Sequence, residues 1–139
     1  MAALPSQTEL NELVARQDAI QAQLDAHRDL SERLKLLVDQ RERGNAKMEL
    51  PVELGPGFTA EGVVHDTKRI IVAAGIDDLW LDLPVEQAQA FVHKRTELLE
   101  KRRKDLDRPI AQMKADYALV AKTLRDAFQL PDDDATASA

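Results

Sequence analysis

Residues 47–83 read KMELPVELGPGFTAEGVVHDTKRIIVAAGIDDLWLDL. Their period is two. Met48, Leu50, Val52 and Leu54 alternate with Glu49, Pro51 and Glu53, the pattern of a strand with one buried face. Gly55-Pro56-Gly57 turns the chain, and Phe58, Ala60, Gly62 and Val64 carry the alternation to a second turn at His65-Asp66-Thr67-Lys68. A β-branched run over residues 69–74 follows, then a third turn at Gly75-Ile76-Asp77-Asp78. Leu79, Leu81 and Leu83 alternate once more, with Trp80 on the opposite face. Four short strands and three tight connections predict two consecutive β-hairpins over 47–83. Pro51 has no N–H to give a ladder, so its strand belongs at an edge. Taken together as one four-stranded meander, the strands would leave one face and both edges open, which favours strands added from other subunits.

On either side of this stretch the period becomes helical. Upstream, Ser6 or Thr8 can cap a helix over 8–43, with Glu9 and Glu12 in its first turn. Leu10, Leu13, Ile20, Leu24, Leu30, Leu34 and Leu37 form one stripe, and no Gly or Pro interrupts residues 6–43. At about 1.5 Å per residue such a helix is roughly 54 Å long. The step from Leu24 to Leu30 breaks heptad phase, so a local distortion of the supercoil is expected there. Gly44-Asn45 is a stop signal. Downstream, Pro84 suits the first position of a helix over 84–130. Ala88, Val92, Leu99, Leu106, Met113, Val120 and Leu124 keep a near seven-residue interval in it. Arg95 and Arg102 interrupt this seam and are expected to lie along it with their heads in water. Pro109 predicts a bend near 105–109. The acidic, small-residue segment 131–139 is expected to be disordered.

The simplest solution is a single domain over 1–130 of α+β class, mainly α. Two long helices zip as an antiparallel coiled coil, and two consecutive hairpins reverse the chain between them. Aromatic residues make up only 4% of the sequence while apolar residues reach 44%, which fits long helices packed along narrow seams. Leu50, Val52, Leu54, Phe58, Val64, Ile70, Val72, Leu79 and Leu81 are the candidate oligomerisation residues of the hairpins. At the far ends of the helices, Leu4, Leu10, Leu13 and Val14 meet Leu124, Phe128 and Leu130. They complete the seam or, where the ends fray, offer an apolar surface to a client or partner.

A net charge of −6 and a pI near 5.1 argue against nucleic acid as the main partner. The concentration Lys94-Arg95 and Lys101-Arg102-Arg103-Lys104 is interleaved with Glu97, Glu100, Asp105 and Asp107, so helical ion pairing accounts for most of it, with a docking surface for an acidic partner as the alternative ahead of nucleic acid. The absence of cysteine removes disulfides, thiolate nucleophiles and Cys-based zinc sites. Residues 1–5 carry no basic or long apolar region, and nothing approaches a membrane span. A soluble intracellular protein is expected.

Candidate chemistry is sparse. His27, His65 and His93 are the only imidazoles; His93 and Glu97 have metal-ligand spacing, but such pairs are common on solvated helices. Asp132-Asp133-Asp134 lacks the glycine and closing glutamate of a calcium loop. Gly55-Pro56-Gly57 lacks the lysine and following helix of a phosphate cradle. Ser6, Ser31 and Ser138 have no catalytic setting. The expectation is a chain that is not an enzyme, with no cofactor and no metal.

Two stretches carry a resemblance. Val63-Val64-His65-Asp66-Thr67-Lys68-Arg69-Ile70, followed by Val72-Ala73-Ala74-Gly75, resembles the inter-hairpin region of α-type prefoldin subunits. Leu83-Pro84-Val85-Glu86-Gln87-Ala88 with Phe91 is similar to the entry of their second helix. Val52-Glu53-Leu54-Gly55-Pro56-Gly57-Phe58 and Leu98-Leu99 point to the prefoldin-like branch. The resemblance spans residues 8–130. It implies a non-catalytic subunit of a hetero-oligomeric prefoldin-like co-chaperone, a hexamer of α- and β-type subunits. Its partners would be β-type subunits, a URI-like α-type scaffold and non-native clients, with no nucleic acid and no membrane. Such an assembly works with the R2TP co-chaperone in building large complexes such as RNA polymerases. The resemblance equally allows a subunit of prefoldin proper serving actin and tubulin. A rival outside that class is a coiled-coil adaptor that regulates transcription. The implied location is cytoplasmic, with a nuclear location open.

Overall fold

The computed structural model describes residues 6–44 and 47–129. Its elements are α1 (Gln7–Glu42), β1 (Met48–Gly55), β2 (Phe58–Val64), β3 (Arg69–Ala73), β4 (Trp80–Pro84) and α2 (Val85–Phe128). The expected class is the observed one: mainly helical, with two antiparallel hairpins between two long helices. Leu130 and segment 131–139 lie outside the described residues, as does Leu4.

Of the two possible caps, Ser6 is used. Its Oγ accepts the backbone N–H of Glu9 at 3.2 Å, and the Glu9 carboxylate accepts the Ser6 N–H at 2.9 Å. This reciprocal pair satisfies two amide groups that the helix start leaves free. α1 ends where Gly44 takes φ 90° and donates to the Arg41 carbonyl at 3.0 Å. Pro84 is not a helical residue. It closes β4 opposite Arg69, and α2 begins at Val85, whose N–H donates to the Lys68 carbonyl at 3.0 Å. The strand keeps Pro84 because that position requires no donor. Pro109 lies within α2, which is helical on both sides of it.

The hairpins do not form one meander. Among the described residues β1 pairs only with β2, and β3 only with β4, giving two separate two-stranded sheets. The polar turn between them is tied down locally: Asp66 Oδ1 accepts the Lys68 N–H at 2.9 Å, and Thr67 is buried. The second hairpin turns at Gly75 (φ 78°) and Asp77 (φ 45°), with Ala74 N–H donating to the Leu79 carbonyl at 2.9 Å.

The chain divides into two compact units. In Gln23–Leu99 the core is Leu34, Val72, Val85, Ala88 and Val92, with Leu30, Leu37, Val38, Ile70, Leu83 and Phe91 packed around it. Helix α1 thus supplies a leucine stripe, the second hairpin one face, and the first turns of α2 the opposing stripe. Arg95 departs from expectation. Its guanidinium lies against the glycine of the second hairpin's turn, where an added Cβ at Gly75 would come within 2.9 Å of Nη2. Nε is buried with no hydrogen-bond partner among the described residues. The side-chain-free, positive-φ glycine leaves the room that draws the head inward.

In the other unit, residues 6–22 pack with residues 100–129. Leu10 and Ile110 are buried. Gln17 Nε2 donates to Asp107 Oδ1 at 2.6 Å and to the Arg103 carbonyl at 3.4 Å. Among the described residues, no helix is long and apolar enough to cross a membrane.

Within Gln23–Leu99, the Arg41 guanidinium hydrogen-bonds the Glu86 carboxylate, joining the last turn of α1 to the first of α2. This contact holds the Glu86 carboxyl below the usual carboxylate range, assisted by a backbone hydrogen bond. A depressed carboxylate stabilises the fold above its unfolded value and loses that contribution as pH falls through the folded value. Arg41→Gln should therefore flatten part of the thermal-stability profile on the acid side, below about pH 4.5. The slope there, compared with that of the parent chain, is the measurement. Because Glu86 is solvent-exposed and Arg41 only half-buried, the change should be small and should shrink in high salt.

Candidate assembly and client-binding surfaces

Hairpin β1–β2 presents two chemically different faces. Register pairs Met48 with Val64, Leu50 with Gly62 and Val52 with Ala60, so these residues share the apolar face. Glu49 pairs with Val63, Pro51 with Glu61 and Glu53 with Thr59 on the other. Met48 and Leu50 are half-buried at the base, while Val52, Val64, Leu54 and Phe58 are exposed. Val52 lies over Gly62, where a Cβ would meet Val52 Cγ2 at 2.6 Å. At the base, Met48 and Ile70 join Leu30, Leu34, Leu36 and Leu37 of α1 around an apolar cleft of about 370 Å³.

Hairpin β3–β4 sorts the sequence candidates differently. Val72 is a member of the chain's own core, and Ile70 packs against it. Leu81 is half-buried, and Leu79 is exposed in the turn ahead of β4. The outward face carries Ile71, 66% exposed, and Trp80, 63% exposed. The ion pair Arg69–Asp82, at 3.1 Å, flanks them. Sequence reading placed Trp80 opposite the leucines but did not single out Ile71, Ile76 or Val63, all exposed. The continuous run Arg69-Ile70-Ile71-Val72-Ala73 shows no alternation from which an outward face could be read.

In the unit containing residues 6–22 and 100–129, Leu10 is buried and Leu13 and Val14 are half-buried. Glu9, Glu12, Leu13, Arg16 and Met113 line one depression there, so the low numbers of α1 face the high numbers of α2. On α2, Tyr117 and Val120 are half-buried and residues 121–129 are all exposed. The cover that α1 provides ends near Val120, leaving Leu119, Leu124 and Phe128 as exposed apolar groups, with Phe128 at 70%.

The histidines take local roles. His93 Nε2 lies 3.3 Å from Glu97 Oε1 on one helix face, and His27 Nδ1 meets the Gln23 carbonyl of its own helix at 2.7 Å. Among the described residues, no group of three His, Cys, Asp or Glu side chains is placed to hold a metal ion.

Comparison with known proteins agrees with this geometry. Residues 6–129 match the family model described as Prefoldin subunit. The chain is 26% identical to protein UXT of Rattus norvegicus over 120 residues, covering 86% of this chain and 74% of the relative. Identity to protein UXT of Homo sapiens is 27% over the same length and coverage. The cryo-EM structure of filamentous PFD from Methanocaldococcus jannaschii superposes with a TM-score of 0.50. At 18% identity it covers 84% of this chain and 98% of that one, a likeness of fold.

Proposed function

The chain belongs to the prefoldin subunit family, and from that premise we propose that it is a non-catalytic subunit of a heteromeric, UXT-like co-chaperone assembly. The hairpins join it to β-type subunits and a URI-like α-type scaffold. The helix ends hold non-native client segments, and clients are handed over without ATP, with R2TP, for the building of large complexes such as RNA polymerases. The assembly acts in the cytoplasm, with a nuclear location left open.

One observation carries this reading. Two separate two-stranded sheets expose Leu54, Phe58, Ile71 and Trp80, each between 63% and 66% accessible. A lone two-stranded hairpin is marginal in water, and large apolar groups in open hairpins favour burial by another chain. The exposed Leu124 and Phe128 support client contact at the other unit in the same way.

Native mass spectrometry after co-expression with β-type prefoldin subunits and a URI-like scaffold tests it. A heteromer containing this chain is the expected result. A homodimer or monomer indifferent to every such partner would overturn the proposal.

A further inference from the structure

The two edges of hairpin β1–β2 are not equivalent. Gly55 and Phe58 close a two-residue turn at Pro56-Gly57, with Gly57 at φ 73°, and the residues flanking such a turn bond each other. Backbone direction alternates along a strand, so Phe58, Ala60, Gly62 and Val64 turn their N–H and C=O groups toward β1. Thr59, Glu61 and Val63 then turn theirs outward, and no described strand pairs with that edge. The irregularity in register lies on β1, between Glu53 and Gly55, so β2 runs unbroken. On β1 the outward set is Glu49, Pro51 and Glu53, because Pro51 faces Glu61. Its centre has no N–H. The edge of β2 is a complete row of donors and acceptors, and that of β1 is interrupted.

Charge narrows the occupant. The face shared by Glu49, Glu53 and Glu61 also holds Pro51, Thr59 and Val63, and no basic side chain. All three carboxylates are exposed, and none is ion-paired to a described residue. A strand added beside β2 sets its own alternate side chains next to Glu61 on this face and next to Ala60 and Gly62 on the other. Like charges directly opposite destabilise a pair, and opposite charges support it. A second copy of β2 paired about Glu61 would set glutamate directly against glutamate, and a second copy of β1 would bring Pro51, which has no N–H to give, with two more carboxylates to the same face.

We propose that the β2 edge is where a partner strand adds, and that the partner is a different chain whose strand carries lysine or arginine at alternate positions and bulky apolar residues between them. This rests on the assembly reading above and names the chemistry of its partner. The glutamate face both attracts that strand and rejects a second copy of the hairpin.

Two nine-residue peptides, one alternating valine with lysine and one valine with glutamate, separate the possibilities. Hydrogen exchange of individual amides in the purified chain is followed by NMR. The lysine peptide should slow exchange at Thr59, Glu61 and Val63 about tenfold more than the glutamate peptide. Glu49→Lys combined with Glu61→Lys, both exposed positions, should invert that preference with an unchanged circular dichroism spectrum. Equal protection by both peptides would overturn the charge rule. Protection at Glu49 and Glu53 instead would overturn the choice of edge, as would no protection by either peptide while the whole chain still enters a heteromer. Loss of the heteromer itself would strike the assembly reading.

Discussion

Leu34→Ala lowers the stability of the Gln23–Leu99 unit by about 2–5 kcal/mol, the expected cost of deleting a buried leucine and leaving a cavity. Leu34 is 1% exposed and lies among Val72, Val85, Ala88 and Val92. It therefore joins α1 to the second hairpin and to α2 at once. Against a net stability of about 5–15 kcal/mol for an ordinary domain, the loss is a large fraction. In urea the unfolding midpoint should fall while the slope is kept. Leu36→Ala, two residues away and 61% exposed, serves as the comparison and should move stability by about 0.5 kcal/mol or less. Equal shifts for the two variants would contradict the core assignment.

Ile71→Asp with Trp80→Asp should remove the chain from the proposed heteromer while leaving the monomer folded. Both side chains point away from the core, so their replacement takes nothing from the packing around Leu34. Aromatic and large aliphatic anchors at an interface commonly carry about 2 kcal/mol or more each, and a charge at both positions adds a desolvation cost. Native mass spectrometry should show the complex reduced at least about 30-fold, with helix content unchanged by circular dichroism. Val72→Asp is the informative contrast. It places a carboxylate in the core and should unfold the unit, so lost assembly there would report on folding alone. A full-mass complex from the Ile71/Trp80 variant would show that this face is not buried by a partner.

The contrast marks how far sequence reading reaches. The change of period at residues 47–83 disclosed the hairpins, because alternation of Met48, Leu50, Val52 and Leu54 with Glu49, Pro51 and Glu53 is hard to produce any other way. The leucine stripe of α1 and the seam of α2 were equally legible. Leu24 and Leu34 on α1 are buried, as are Ala88, Val92 and Leu99 on α2. Three features were not. Residues 70–73 are apolar on both faces, so pattern alone cannot tell Ile71 from Val72. Whether the hairpins share a ladder depends on pairing between β2 and β3, which alternation does not encode. The inward turn of Arg95 depends on the space above Gly75, a tertiary fact. For the candidate client surface, the sequence left open whether Leu124 and Phe128 complete the seam or stand exposed, and both are exposed.

The missing ladder between the hairpins also bears on how such a subunit diversifies. With no strand shared, the residues that choose a neighbour on β1–β2 are free to drift without disturbing the β3–β4 face that closes the core. Grafting the segment 48–64 from another subunit should exchange one set of neighbours and keep the fold, much as a plug can be changed without rewiring the appliance.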